Sequence, residues 1–295
     1  MTLKLVSKVS SEHLVSGEDW ECLMWLNGKL YSAGYASGKI KVWSPDLQQV
    51  LKEWPAHEYP IYHMCPGPPP TFFTSSSDCT IKQWEEGENG DFVLIATLEG
   101  HEEPARKLRF DSDKKRLYSG DELGKVLIWE DGKLIGILET LEEIWDMMIY
   151  NDLLFTARHL DVVINTLSQR GDQIRHSVKN TIPGKGPFLI TKGEKLCFAD
   201  RSNFQIHVNE AFKSGNANLA KLEGHESIVN GIASHNDTLY TSGSDKKLIA
   251  WNLTTLSRIE SLNLDGYVND IVISDSDGTI YAGGQDNNIF AVKLT

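Results

Sequence analysis

The chain has 295 residues, with 41 acidic against 29 basic side chains and a net charge of −12. Its 40% hydrophobic and 24% charged content is that of a folded globular protein and excludes extended disorder. The acidic excess disfavours general binding to nucleic-acid backbones. Cys22, Cys65, Cys79 and Cys197 form no C-x-x-C pair, which points to reduced thiols in an intracellular, cytoplasmic setting. No apolar run approaches the ~20 residues of a membrane span, and the N-terminus lacks the apolar stretch of a signal peptide.

In chain order, one segment recurs: a short apolar run ending in Trp. It reads Lys39-Ile-Lys-Val-Trp43, Thr80-Ile-Lys-Gln-Trp84, Lys125-Val-Leu-Ile-Trp129 and Lys247-Leu-Ile-Ala-Trp251. Val162-Val-Ile-Asn165, Phe204-Gln-Ile-His-Val208 and Asn288-Ile-Phe-Ala-Val292 continue it as degenerate copies, giving spacings of 41, 45, 36, 43, 43 and 41 residues. Each unit reads as four short strands separated by Gly, Asn, Asp and Ser turns. The sixth is the clearest: Ile228 to Ala233, Thr238 to Thr241, Leu248 to Trp251 and Ser257 to Leu262. Four strands per 40–45 residues is the spacing of a propeller blade. The expected fold is all-β: a seven-bladed propeller of four-stranded blades over residues 1–295 as one domain. Leu3 to Val9 supplies the outer strand of the last blade and closes the ring, which removes exposed sheet edges.

The sequence resembles the WD40-repeat family along its whole length. Gly100-His101 and Gly224-His225 match that family's Gly-His pair, Ala56-His57 is a variant, and Trp43, Trp84, Trp129 and Trp251 match its Trp. The Asp that follows is absent, replaced by Ser44, Glu85, Glu130 and Asn252. The resemblance implies a structural hydrogen-bond network in each blade. Two units carry it in full, as His57, Thr74, Asp78, Trp84 and as His225, Thr241, Asp245, Trp251. The third keeps His101, Ser119 and Trp129 with Leu123 at the Asp position, and the fourth and fifth lack the network. Buried polar groups must be paired, so these histidines are expected to be structural.

The resemblance also implies a peptide-binding top face, lined by the residue after the first apolar position of each inner strand. Those residues read Trp20, Tyr62, Arg106, Trp145, Phe188, Asn230 and Asn269, types rich in binding hot spots. Residues 151–222 carry ten basic and six acidic side chains, a basic sector to which Arg158 and Arg201 belong. With Arg106 they suggest recognition of an acidic or phosphorylated segment; the alternative is pairing with Asp161, Asp172 and Asp200.

Enzyme signatures are absent: no G-x-x-x-x-G-K-[ST], G-x-S-x-G or H-E-x-x-H occurs. Pro183-Gly184-Lys185-Gly186-Pro187 reads as a loop, and His63 with Cys65 as neighbours on a strand face rather than a metal pair. The expectation is a non-catalytic scaffold or adaptor without cofactor or metal, binding a protein or peptide within a larger complex. The rival is a hydrolase or small-ligand propeller with its site in the channel mouth.

Overall fold

The computed structural model describes residues 1–34, 36–140, 142–171, 173–212 and 217–295. Within them, 28 strands form seven four-stranded antiparallel sheets, the blades of a seven-bladed β-propeller. The chain divides into two compact units. The first holds Met1–Ala36, Ile40–Trp54 and Gly184–Thr295; the second holds Ser37–Lys39 and Pro55–Pro183.

The first unit contains four blades. Blade 1 is Trp20–Leu26, Lys29–Gly34, Lys39–Trp43 and Val50–Pro55. Blade 5 is Lys185–Ile190, Lys195–Ala199, Ile206–Glu210 and Asn218–Leu222, and blade 6 is Val229–His235, Thr238–Gly243, Lys247–Asn252 and Ser257–Asn263. Blade 7 is Val268–Ile273, Ile280–Gly284 and Ile289–Leu294, completed by Leu3–Lys8 from the start of the chain, with Leu3 opposite Leu294 and Lys8 opposite Phe290. This is the strand exchange read from the sequence. Asn27 and Gly28, both at positive φ, turn the first hairpin of blade 1, since two left-handed residues match the twist of paired strands. Side chains alternate across each strand. Trp43, Trp20, Leu30 and Ile289 form one buried cluster, and Leu239, Ile249, Trp251 and Val208 another.

The second unit contains three blades. Blade 2 is Ile61–Pro66, Thr71–Ser76, Ile81–Glu86 and Phe92–Leu98. Blade 3 is Ala105–Asp111, Arg116–Asp121, Lys125–Glu130 and Lys133–Glu139. Blade 4 is Asp146–Tyr150, Leu153–Ala157, Asp161–Arg170 and Gln173–Pro183, its outer hairpin drawn out to strands of 10 and 11 residues. Phe73, Leu108, Leu127 and Trp129 pack between blades 2 and 3. Tyr118, Ile128, Ile144 and Leu154 pack between blades 3 and 4. Each fully buried aliphatic side chain contributes about 2 kcal/mol. The segment 183–187 is not a free loop: Pro183 ends one strand and Lys185 begins the next.

Candidate partner-binding edge

The geometry starts from what holds the loops. In blade 2, Trp84 Nε1 donates to Thr74 Oγ1 at 3.0 Å, Thr74 bonds His57 Nε2 at 2.7 Å, and His57 Nδ1 bonds Asp78 Oδ2 at 2.8 Å. Blade 6 repeats the relay through Trp251, Thr241, His225 and Asp245 at 2.8 Å for each link. With the imidazole neutral and protonated on Nδ1, every donor in the relay faces an acceptor. The relay ties the outer face of the third strand to the loop before the first strand, so it fixes the loops that carry the candidate site.

Blade 3 corrects the sequence reading. The carboxylate partner is not absent, and Leu123 does not take its place. Asp121 fills the role from the end of the second strand, two residues earlier than in blades 2 and 6. Its Oδ2 lies 2.8 Å from His101 Nδ1, and Ser119 links His101 to Trp129 at 2.7 and 2.8 Å. Leu123 points to solvent instead.

Burial lowers the His57 and His225 imidazoles more than their carboxylates raise them, and burial also lowers His63 and His207. For Asp78, burial works upward, but hydrogen bonds from His57 and Thr80 outweigh it and hold the carboxyl at about 2. A lowered histidine supplies stability that is present above its unfolded value near 6.5 and lost as pH falls below it. The melting temperature is therefore expected to be level near pH 7.5 and to fall between pH 6.5 and 5. The Asp78 contribution disappears only as pH drops from about 4 toward 2. A thermal series from pH 8 to 5 checks this; a melting temperature that rises on acidification to pH 5.5 contradicts it.

In the second unit, Tyr62, Arg106 and Trp145 occupy the expected register, each following a buried residue, Ile61, Ala105 and Ile144. The Arg106 guanidinium lies 4.0 Å from the Tyr62 ring centroid and pairs with Glu122 at 2.6 Å. A stacked guanidinium of this kind is worth about 0.5–1 kcal/mol. Trp145 donates its backbone N–H to Ala157 O at 2.9 Å and leaves its indole 55% exposed. Arg158 donates Nη1 to Thr140 O at 3.0 Å and lies 3.4 Å from Glu142.

The loops holding these residues are themselves tied together. Ile144 N–H donates to Asp121 O at 3.1 Å and Thr140 N–H to Gly124 O at 2.7 Å. Gly124 is required there: its φ is +81° and an added Cβ would fall 2.4 Å from Glu142 O. Tyr59, Leu123, Trp145 and Leu160 stand exposed along this loop edge of blades 2 to 4. Tyr59, Leu123 and Leu160 were missed in the sequence because they lie in turns; Pro60 after Tyr59 and Gly124 after Leu123 mark two of these turns, while Leu160, between His159 and Asp161, carries no such signal.

In the first unit the expectations fare differently. Trp20 is buried, stacked edge-on against Trp43, with Nε1 donating to Asn287 O at 2.8 Å. It pairs with Gly34 as Val229 pairs with Gly243, so it is the buried residue of the inner strand and Glu21 is the one that follows. Phe188 is buried opposite Phe198, equivalent to Ile232 opposite Thr241, so the strand's exposed start falls near Gly186. At Trp20 a one-residue register slip exchanges a core for a surface position; at Phe188 the irregularity between Lys185 and Phe188 moves the exposed start toward the beginning of the strand. Asn230 donates to Val268 O at 3.0 Å and Asn269 to Trp20 O at 3.0 Å, so both side-chain amides fasten one inner strand to the next. Arg201 is exposed on the turn after Asp200. The Asp200 carboxylate is occupied by Ser202, Phe204 and Gln205, the Asp161 backbone carbonyl accepts the Arg158 backbone N–H, and Asp172 lies outside the described residues.

Four-stranded blades bound by Trp–Ser/Thr–His–Asp relays define a propeller of the WD type. The model of the WD domain, G-beta repeat, matches residues 48–85, 92–130 and 216–252, three WD40 repeats among the seven blades. It is similar to the zinc finger CCCH domain-containing protein 17 of Oryza sativa subsp. japonica, 25% identical over 58% of this chain and 39% of that protein. It is also similar to histone acetyltransferase type B subunit 2 of Candida glabrata, 23% identical over 74% of this chain and 59% of that protein. U3 small nucleolar RNA-associated protein 15 of Schizosaccharomyces pombe is 30% identical over 27% of this chain and 16% of its own length. The match thus spans between a sixth and three fifths of these relatives. Among solved structures, the WD40 beta propeller domain of Doa1 superposes with a TM-score of 0.79 at 17% identity, covering 99% of this chain and 97% of that one; this likeness is one of fold.

Proposed function

We propose that the chain, as a single propeller domain, is a non-catalytic interaction scaffold that binds a protein or peptide along the loop edge of blades 2 to 4. The observation that carries this reading is the exposed indole of Trp145, set on a backbone fixed at both sides by Asp121 and Ala157. Tryptophan dominates binding hot spots, and a scaffold that orders its loops in advance loses little entropy on association. WD40 proteins bind protein partners, often within complexes, and a complex is the setting we infer for this chain. The acidic or phosphorylated ligand expected from the arginines loses support, because Arg106 and Arg158 already face Glu122 and Glu142. We infer an intracellular location, which fits four cysteines that form no disulfide among the described residues. The names of the Candida and Schizosaccharomyces proteins are as consistent with the nucleus as with the cytoplasm.

The hydrolase reading can be tested on a cleft of about 360 Å³ on the other edge of the second unit, lined in part by Lys114, Arg116, Tyr118, Asp152 and Gln169. Its charges are spent on one another: Lys114 on Asp152, and Arg116 on Glu130 and Gln169. Burial and the nearby Asp111 push the Tyr118 phenol up to about 12, so it offers no base near neutral pH.

Replacing Trp145 by Ala should leave the melting temperature within about 1 °C, since the ring is exposed, and weaken partner binding by about 10- to 100-fold. Affinity capture with the wild type beside Trp145→Ala checks this. Partners held equally by both would place the interface elsewhere; an unfolded variant would make Trp145 a core residue.

A further inference from the structure

We propose that the loop edge of blades 2 to 4 takes a cationic segment: lysine or arginine side chains held among its glutamates, with neighbouring apolar side chains laid on Leu123, Trp145 and Leu160. The inference rests on the reading of that edge as the binding face and assigns the chemistry of its ligand.

Three sets of residues carry it. The apolar set is continuous through the backbone. Ile144 N–H bonds Asp121 O, which puts Trp145 beside the turn holding Leu123; Trp145 N–H bonds Ala157 O, which puts it beside the turn holding Leu160. These side chains are exposed on rigid loops, and clustered exposed apolar side chains mark an interaction site.

The cationic set on the edge is already engaged. Arg106 pairs with Glu122, Arg158 with Glu142 and Lys125 with Glu102. None of the three is left over to meet an anionic ligand, and any that turned to one would abandon its glutamate.

The anionic set is in excess. Glu58, Glu99, Glu103 and Glu143 lie on the same loops and Glu139 ends the outer strand of blade 3 beside them, and among the described residues none has an ion pair. The excess registers on a neighbouring group: burial raises the Cys79 thiol, and Glu103, Asp78, Glu122 and Asp121 raise it further. An incoming carboxylate or phosphate would meet this field within a Debye length of about 8–10 Å and be repelled. An incoming ammonium or guanidinium would be drawn in, and the exposed Trp145 face would accept it by cation–π contact as well. Charge complementarity and the apolar strip therefore select the same ligand, a basic segment with interleaved apolar residues.

The test is an oriented peptide library containing Lys, Arg, Asp, Glu and phosphoserine, selected on the immobilised full chain. The expected result is enrichment of Lys or Arg next to Leu, Ile or an aromatic residue. The best peptide should bind at least about tenfold more weakly at 300 mM than at 50 mM salt. It should lose about tenfold in affinity to a Glu103→Lys/Glu143→Lys variant whose melting temperature is unchanged. Enrichment of acidic or phosphoserine peptides that is lost in Trp145→Ala would keep the binding face and overturn the cationic ligand. Cationic peptides bound equally by Trp145→Ala would overturn the face itself, and the inference with it. Absence of any charge preference would also overturn the inference.

Discussion

Replacing Asp121 by Ala is expected to destabilise the protein by about 3–4 kcal/mol, the most of any relay carboxylate. Its side chain is 0% exposed and the His101 side chain 1%. The carboxylate accepts from His101 Nδ1 and from the backbone N–H groups of Leu123 and Lys125. Removing it strands three donors in the interior at once, and each buried donor left unpaired costs about 1–3 kcal/mol. At the size of this chain the corresponding fall in melting temperature is roughly 5–7 °C. The three relays should rank by how far water can replace the lost oxygen. Asp121 comes first, Asp245 at 3% exposure next, and Asp78 at 17% last. Thermal or urea unfolding of the three Ala variants checks the order. Asp78→Ala proving as costly as Asp121→Ala would refute the solvent argument.

Asp121 also shows where the sequence stopped being legible. The Trp-ended runs and their degenerate copies repeat at 36 to 45 residues, and that spacing was enough to place seven blades and the borrowed outer strand of the last. Such periodicity survives because every blade buries the same positions. The relay in blade 3 was misassigned because it was located by counting from the Trp, whereas a carboxylate can reach the same imidazole from the strand end or from the turn. Trp20 was misplaced for a related reason. A strand changes face with every residue, and the long segment before blade 1 supplies no Gly-His landmark to fix the phase. Tyr62 and Arg106 fell in register because His57 and His101 fix the phase five residues before them, and Trp145 because the aliphatic Ile144 precedes it. The ion pairs were the least legible feature. Arg106 and Arg158 find Glu122 and Glu142, 16 residues away in either case, through loops whose meeting depends on Gly124 and Thr140. The pairing reverses the charge logic of the site, from an edge that seeks acid to one that has acid to spare.

The second large effect is expected at Arg109, on the first strand of blade 3. Its Nη2 donates to Asp146 Oδ1 at 3.0 Å on the first strand of blade 4, and its Nη1 to Leu108 O at 2.9 Å, with His63 Nε2 of blade 2 at 3.3 Å. One guanidinium thus spans three successive inner strands, and the fixed fork of donors is what allows it. Asp146 is buried, so Arg109→Met would keep the aliphatic packing and take the guanidinium from a buried carboxylate, at a cost of about 3 kcal/mol. His63 sharpens the argument, because burial and then the positive charges of Lys107 and Arg109 hold it well below its ordinary value. It stays neutral, accepts from Arg109 and cannot replace it as the counter-ion of Asp146. Adding Asp146→Asn to Arg109→Met removes the stranded charge while keeping an oxygen for the Met147 N–H. The double variant should then recover at least about half of the loss, a coupling of the size that contacting residues show in double-mutant cycles. Losses that simply add in the double variant would mean that Arg109 acts through packing alone. Recovery would identify the guanidinium as the tie that aligns the inner strands beneath Tyr62, Arg106 and Trp145, so that the same substitution should also weaken whatever binds along that edge.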